Sequence, residues 1–466
     1  MILLSHSYYL RNDPKQLARM KPYPPLATLL AAGLLRERGH PVALFDAMLA
    51  RGVEAFEAAL DEHRPAIVGI LEDNFNFLTK MCTLRSREAT VAMVQAARER
   101  GCRIAVNGSD ATDRPALYLA AGADAVVLGD GERGFLDLVE TWSADPDAPL
   151  DAVPGLVLPG VAGAVRYTRA RPPLHDLDAL PLPAWDLVDA DAYRRAWRRH
   201  HGRFSWNMVT SRGCPYGCNW CAKPIFGRRY SQRSAACVAE EMRRLKDEIA
   251  PDHIWFADDI FGLTPEWIRD FAAEVTRRGA RTPFMIQSRA NLMRPETVRA
   301  LAEAGAEEVW LGVESGSQKI LDAMEKGTRV EAARTATRAL KACGIRACWF
   351  LQLGYPSETW EDLLLTRDLV RDERPDDIGV SVAYPLPGTK FHEMVRAQLG
   401  AKRNWEDTDD LAMLFRGTYS TAFYRRVRDA LHFEVGTGAS DDELWSELER
   451  DEEAHRSEDP LVAAGA

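Results

Sequence analysis

Apolar residues in the first 145 positions fall into two kinds of pattern. Short unbroken runs at 2–5, 42–45, 66–71, 103–106 and 125–128 have the length and flanks of buried strands. Stretches at 26–38, 53–63, 88–99 and 115–121 repeat apolar residues every three to four positions, the period of a helix with one buried face. Each stretch stops near Gly39, Pro65, Gly101 or Gly122, residue types that end helices. Strands alternating with helices predict an α/β domain over 1–145, a doubly wound parallel sheet of Rossmann-like topology.

Ligands of such sheets lie outside the carboxyl ends of the strands. Ser5-His6-Ser7, Glu72-Asp73-Asn74, Asn107-Gly108-Ser109 and Gly129-Asp130-Gly131-Glu132 occupy that edge. A dinucleotide fingerprint would place G-x-G-x-x-G after the first strand, where the chain reads Ser5-His6-Ser7-Tyr8-Tyr9. By itself Gly129-Asp130-Gly131-Glu132 reads as a tight strand-to-helix turn with an acid at the helix start.

Prolines from Pro146 to Pro183 exclude long regular elements and mark 146–200 as a connector. Beyond it the alternation resumes, with strands expected at 207–210, 254–257, 284–288, 308–313, 346–353 and 378–383. Six such units over 201–395 predict a partial (β/α)6 barrel, whose site would lie on the carboxyl-end loops. Those loops carry Asp258-Asp259, Gln287-Ser288-Arg289, Glu314-Ser315-Gly316-Ser317, Gly354-Tyr355-Pro356 and Tyr384-Pro385-Leu386-Pro387-Gly388. Ser315 and Ser317 also suit a turn and a helix cap. Residues 396–466 form a small helical extension with an acidic tail, and its aromatics, Trp405 among them, suit either a cap over the barrel mouth or ordinary packing.

Composition narrows the function classes. The apolar fraction of 46% and charged fraction of 27% are those of a globular chain. A net charge of −10 disfavours nucleic acid as the main partner. No apolar run is long enough to cross a bilayer, and the start has no basic segment of a signal peptide. A cytoplasmic location is expected. Eight cysteines in 466 residues are too few for a disulfide scaffold.

Three of the cysteines crowd together in Ser211-Arg212-Gly213-Cys214-Pro215-Tyr216-Gly217-Cys218-Asn219-Trp220-Cys221, with spacing C-x3-C-x2-C, after an expected strand. Three thiolates on a short Gly- and Pro-bearing loop can hold three corners of a 4Fe-4S cluster and leave one iron open. A structural zinc site wants a fourth ligand, and Cys237 falls inside a helical run at 235–249. Cys82, Cys102, Cys237, Cys343 and Cys348 read as packing residues.

At these residues the sequence resembles the radical S-adenosylmethionine (SAM) enzymes, over about 200–395. The motif includes an aromatic, Trp220, before its last cysteine. Phe256-Ala257-Asp258-Asp259, Gly312-Val313-Glu314-Ser315-Gly316 and Tyr384 to Thr389 resemble the later strand-end motifs of that family. The resemblance implies that Cys214, Cys218 and Cys221 bind 4Fe-4S and act in catalysis. It places Trp220, Asp258, Asp259, Gln287, Arg289, Glu314 and Ser315 around SAM.

The N-terminal domain is similar to the cobalamin-binding domain of the cobalamin-dependent subclass. That similarity implies cobalamin contacts from Pro25, in Tyr23-Pro24-Pro25-Leu26, from Asn107, Gly108 and Ser109, and from Gly129, Asp130, Gly131 and Glu132. The loop Glu72 to Asn76, with Asn74 and Phe75, is placed on the lower side of the corrin; its other reading is a solvated loop. The D-x-H-x-x-G motif is absent, and His40 reads as a helix-exit residue, so cobalt is expected to lack a protein histidine. The Asn107-Gly108-Ser109-Asp110 turn only partly keeps the small residues that subclass uses.

The implied activity is methyl transfer to an unactivated carbon or phosphinate-like centre of a small molecule, with an external electron donor such as flavodoxin or ferredoxin. Members of the subclass also run oxidative cyclisations and ring rearrangements. A reading of another class is an iron–sulfur sensor or carrier without turnover.

Overall fold

The computed structural model describes residues 1–75, 83–223, 225–399 and 413–456. The chain divides into two compact units: Met1–Cys214 with Lys223–Asp258, and Pro215–Ala222 with Asp259–Ala466.

The first unit holds a seven-stranded sheet in the order β2-β1-β3-β4-β5-β6-β7. Its strands are β1 (Ile2–Ser5), β2 (Val42–Phe45), β3 (Ile67–Leu71), β4 (Arg103–Asn107), β5 (Ala125–Val127), β6 (Leu156–Pro159) and β7 (Val165–Tyr167). The first five pair in parallel, as the alternating pattern predicts. Side chains of a strand alternate between faces. Leu4 therefore joins a core with Leu35, Phe135 and Trp142 on one side, whereas Leu3 joins Phe56, Val68 and Met93 on the other. Gly69, in the middle of β3, leaves room for the Phe135 ring; a Cβ there would stand 2.5 Å from Phe135 Cζ.

The connector is more ordered than its prolines imply. Strands β6 and β7 pair antiparallel with β5 and with each other, so the sheet is mixed rather than wholly parallel. A helix, Ala190–His201, follows, capped by Asp189 and closed by Gly202 at a positive φ of 68°. Prolines are tolerated here because β6 and β7 are short and lie toward the sheet's margin.

Six parallel strands follow. In the first unit β8 (Ser205–Met208) pairs with β11 (His253–Phe256), and the short β9 (Ser211–Arg212) pairs antiparallel with β10 (Ser231–Gln232). In the second unit β12 (Phe284–Ser288), β13 (Ala306–Glu314), β14 (Arg346–Leu353) and β15 (Asp377–Val382) run parallel in that spatial order. Helices between these strands carry a buried stripe, for example Ile268, Phe271, Ala272 and Val275 in Pro265–Arg277.

The C-terminal part contains the helices Lys390–Leu399, Thr421–Thr437 and Asp442–His455, and Phe423 of the second of these packs near Trp360. Trp405, Asn76, Cys82 and the end of the acidic tail lie outside the described residues.

Candidate functional site

In the first unit the strand-end residues form one connected edge. Asn107, the last residue of β4, donates through Nδ2 to the carbonyls of Val127 (2.8 Å) and Gly129 (3.2 Å). Its Oδ1 accepts from Asn74 Nδ2 at 2.8 Å. One amide thus ties together the ends of three neighbouring strands. Gly131 is required beside it, because a Cβ there would stand 2.5 Å from Asn107 Oδ1.

Glu72 accepts from Ser7 N (3.0 Å) and Ser7 Oγ (2.5 Å), and burial raises its pKa. Gly108 clears the Glu72 side chain, which a Cβ would approach to 2.8 Å. Asp73 accepts from Ala27 N at 3.3 Å, at the start of the helix Leu26–Glu37, and burial pushes its carboxyl up to about 6. Pro25 precedes that helix, and its carbonyl accepts from Leu29 N. Ser109 opens the short helix Ser109–Asp113. His6 is fully buried against Asp46 at 3.0 Å.

Asp130 and Glu132 turn toward Arg212, and Phe75 stacks on Phe226 with ring centroids 5.3 Å apart. Asn74, Phe75, Asn107, Gly131 and Glu132 line one small cavity with Phe226. The fold therefore brings five of the ten expected cobalamin residues to one cavity.

Asp258, at the end of β11, is wholly engaged within the first unit. It accepts from Thr210 N (3.1 Å), from Thr210 Oγ1 (2.8 Å) and from Ser211 Oγ. Burial lifts its carboxyl to about 6 against those hydrogen bonds. Its position is that of a brace for the strand leading to Cys214. Asp259 beside it is exposed.

In the second unit the cysteine loop is clamped at Asn219. Asn219 Nδ2 donates to the Ala323 carbonyl at 2.7 Å, and Tyr355 Oη donates to Asn219 Oδ1 at 3.0 Å. Asn219 N donates to the Met324 carbonyl, and the Asn219 carbonyl accepts from Phe391 N. Trp220 packs against a core cluster that includes Ile320, Met324 and Phe391, with Lys326 Nζ 5.9 Å from its ring centroid. Cys218 is buried, and its Sγ accepts from Arg289 Nη1 at 3.5 Å. The guanidinium thus hydrogen-bonds one of the three sulfurs of the motif, as outer partners of metal ligands do. The donor set therefore fits a thiolate-held cluster. Among the described residues no group of three His, Cys, Asp or Glu side chains is placed to hold a single metal ion. A cubane takes one thiolate per iron and spreads them apart.

Glu314 follows a bulge in β13 and has a positive φ of 67°. Its Oε1 accepts from Lys326 Nζ at 2.6 Å, with both side chains buried. Gly312 makes the space, since a Cβ would stand 2.8 Å from both of those atoms. Ser315 Oγ lies 3.3 Å from Thr366 Oγ1, and Ser317 caps the helix Gln318–Ala323, the turn and cap roles those residues suit. Gln287 is half-buried, and its carbonyl accepts from Phe261 N. Sequence reasoning missed Lys326; it placed Tyr355 on a carboxyl-end loop and Asn219 inside the cysteine motif, but gave neither a role.

The remaining cysteines divide. Cys102 and Cys348 are buried, as packing residues should be, but Cys237 and Cys343 are only half-buried. Cys237 Sγ accepts from Arg233 Nη2 at 3.3 Å, which holds it at the helix surface.

Residues 208–370 match the Radical SAM superfamily and residues 19–139 match the B12 binding domain. The chain is a cobalamin-dependent radical SAM enzyme. Its cofactors follow from the two domains: 4Fe-4S and SAM from the first, cobalamin from the second. The enzyme is 29% identical over 388 residues to an uncharacterized methyltransferase of Pyrococcus horikoshii, covering 82% of this chain and 81% of that one. It is 27% identical to the hopanoid C-3 methylase of Methylococcus capsulatus, over 80% and 69% of the two chains. Its fold is similar to that of the radical SAM methyltransferase TsrM from Kitasatospora setae, with a TM-score of 0.68 at 21% identity, over 86% and 77% of the chains. It is also similar to the cobalamin-dependent SAM radical enzyme OxsB, with a TM-score of 0.65 at 21% identity, over 79% and 52%. Among the described residues no helix is long and apolar enough to cross a membrane.

Proposed function

We propose that this enzyme is a methyltransferase acting on an unactivated carbon, or a phosphinate-like centre, of a small biosynthetic intermediate. The observation that carries the reading is a B12-binding domain joined to a radical SAM domain in a chain whose relatives are mostly named methyltransferases. When bound, the cluster and SAM supply a 5′-deoxyadenosyl radical and cobalamin supplies a methyl carrier.

The chain's own residues bind and orient. Cys214, Cys218 and Cys221 are the proposed cluster ligands. Arg289 donates to Cys218 Sγ, and Asn219 anchors the loop between Cys218 and Cys221. Glu314, Lys326, Gln287, Trp220 and Asp259 are the groups proposed around SAM, whereas Asp258 and Ser315 act through the strand and helix they brace. Asn107, Gly108 and Gly131 shape the edge proposed for cobalamin, with Asn74, Phe75, Asp130 and Glu132 around it. The electron comes from an external donor of the flavodoxin or ferredoxin kind. A cytoplasmic setting, where thiols stay reduced, would suit the three proposed cluster cysteines.

The test is anaerobic incubation of reconstituted enzyme with SAM, hydroxocobalamin and reductant, followed by mass spectrometry. In this incubation methylation of reduced cobalamin by SAM yields S-adenosylhomocysteine and methylcobalamin, and reductive cleavage of a second SAM yields 5′-deoxyadenosine. Deoxyadenosine without the other two favours a second reading, oxidative cyclisation. That reading is supported by 29% identity, over 58% of this chain, to the anaerobic magnesium-protoporphyrin IX monomethyl ester cyclase of Rubrivivax gelatinosus.

A further inference from the structure

A buried cation stands two positions before the first cysteine of the loop. Arg212, on β9, is 6% exposed. Its Nη1 pairs with Glu132 and, at 3.4 Å, with Asp130. Asp130 is the N-cap residue of the helix Gly131–Ala144 that follows β5, and Glu132 lies in its first turn. The guanidinium carbon also lies 5.7 Å from the Phe75 ring centroid and 5.6 Å from that of Phe226. All these groups belong to the first unit.

The backbone on either side of this cation is held. Arg212 pairs with Ser231 across β9 and β10. Gly213 has a φ of 76°, and a Cβ there would stand 2.0 Å from the Arg229 carbonyl oxygen. Only glycine passes at that point, so the step from Arg212 to Cys214 has little slack. A displacement of the guanidinium therefore passes to the cysteine.

The other side of the cation faces the strand edge. Phe75, Phe226 and Glu132 line the small cavity beside Asn107 and Gly131. That cavity holds little more than a water molecule. A larger occupant must shift the stacked rings, and the guanidinium lying against both must re-seat. Arg212 cannot move freely, because leaving the buried Glu132 carboxylate and the half-buried Asp130 without a counter-charge is costly.

We propose that Arg212 is a positioning residue that couples the cobalamin-side helix start Asp130–Glu132 to Cys214. Occupancy of the strand edge is transmitted through Phe75, Phe226 and the ion pairs to the place where Cys214 presents its sulfur. The proposal rests on the reading of Cys214 as a cluster ligand.

The test uses the full chain reconstituted with ⁵⁷Fe. Mössbauer spectra of the cluster are recorded with and without hydroxocobalamin, and cobalamin affinity is measured by absorbance titration. The expected result is a cobalamin-induced change in the cluster's quadrupole splitting in the parent enzyme. Glu132→Gln keeps the iron but loses that change. Arg212→Met weakens cobalamin binding by ~10-fold, the size expected when a supporting contact is lost. An unchanged spectrum on adding cobalamin to the parent enzyme overturns the coupling, as does a parent-like response in Glu132→Gln. If Arg212→Met does not fold, Glu132→Gln, a neutral isostere, still decides the matter. Cys214→Ala separates the two readings. A full cluster in that variant refutes the ligand assignment, whereas loss of the cluster there with a normal response in Glu132→Gln refutes only the coupling.

Discussion

Arg289 Nη1 donates to Cys218 Sγ at 3.5 Å, and the same guanidinium lies 3.8 Å from the centroid of the Tyr216 ring. One side chain from the end of β12 thus holds two residues of the cysteine loop. Arg289→Met removes the positive charge and the fork. It is expected to weaken cluster retention by ~10-fold, as losses of partners to metal ligands do. Iron content after challenge with a chelator measures this. Retention equal to the parent enzyme refutes it.

Cys218→Ala removes a proposed ligand outright. The expected outcome is loss of 5′-deoxyadenosine formation, read by mass spectrometry under strong reductant. Full deoxyadenosine formation by this variant refutes the assignment of Cys218.

Glu314 and Lys326 form a buried pair on a strained backbone. Removing one partner strands the other charge. Lys326→Met is expected to cost about 3–5 kcal/mol of stability. The double variant Glu314→Gln with Lys326→Met should recover much of that loss, because no buried charge is left alone. Urea denaturation of the single and double variants checks both statements, and equal losses in the two would sink the argument.

Glu358 is fully buried behind β14, accepting from Gly354 N at 2.6 Å, and burial raises its carboxyl from 4.5 to about 8. The folded chain therefore holds a proton that the unfolded chain releases. Stability contributed by this group is present below pH 4.5, declines as pH rises through the interval to 8, and is level above it. Glu358→Gln should flatten that part of the profile. Denaturation midpoints between pH 5 and 9 decide it, since a slope equal to the parent's places the titration elsewhere.

Gly131→Ala tests the strand edge. Its Cβ would stand 2.5 Å from Asn107 Oδ1, the atom that accepts from Asn74. The Asn107 amide must then shift, at an expected cost of about 1–3 kcal/mol. Cobalamin titration should show weaker binding in the same variant, and parent-like affinity would remove Gly131 from the cobalamin site.

Several elements were legible before any contact was known. The parallel order of β1 to β5, the βα repeats beyond residue 200 and the C-x3-C-x2-C loop follow from local period, spacing and turn chemistry. The strand-end residues Asn107, Gly131 and Glu132 were legible as an edge because strand ends in this fold collect on one side. Strands β6 and β7 were not, because they are short and Pro-flanked and their pairing depends on meeting the free side of β5.

The sequence by itself determined the two cofactor-binding halves and the cysteine triplet, since both are written in neighbouring residues. Only the tertiary structure decided which partners the polar side chains take. Asp258, expected near SAM, bonds Thr210 and Ser211; Glu314 pairs with Lys326; Arg212 reaches back to Glu132. These pairings join residues from different turns and strands. A buried charge must find a partner wherever the chain crossings place one, and local pattern carries no record of those crossings.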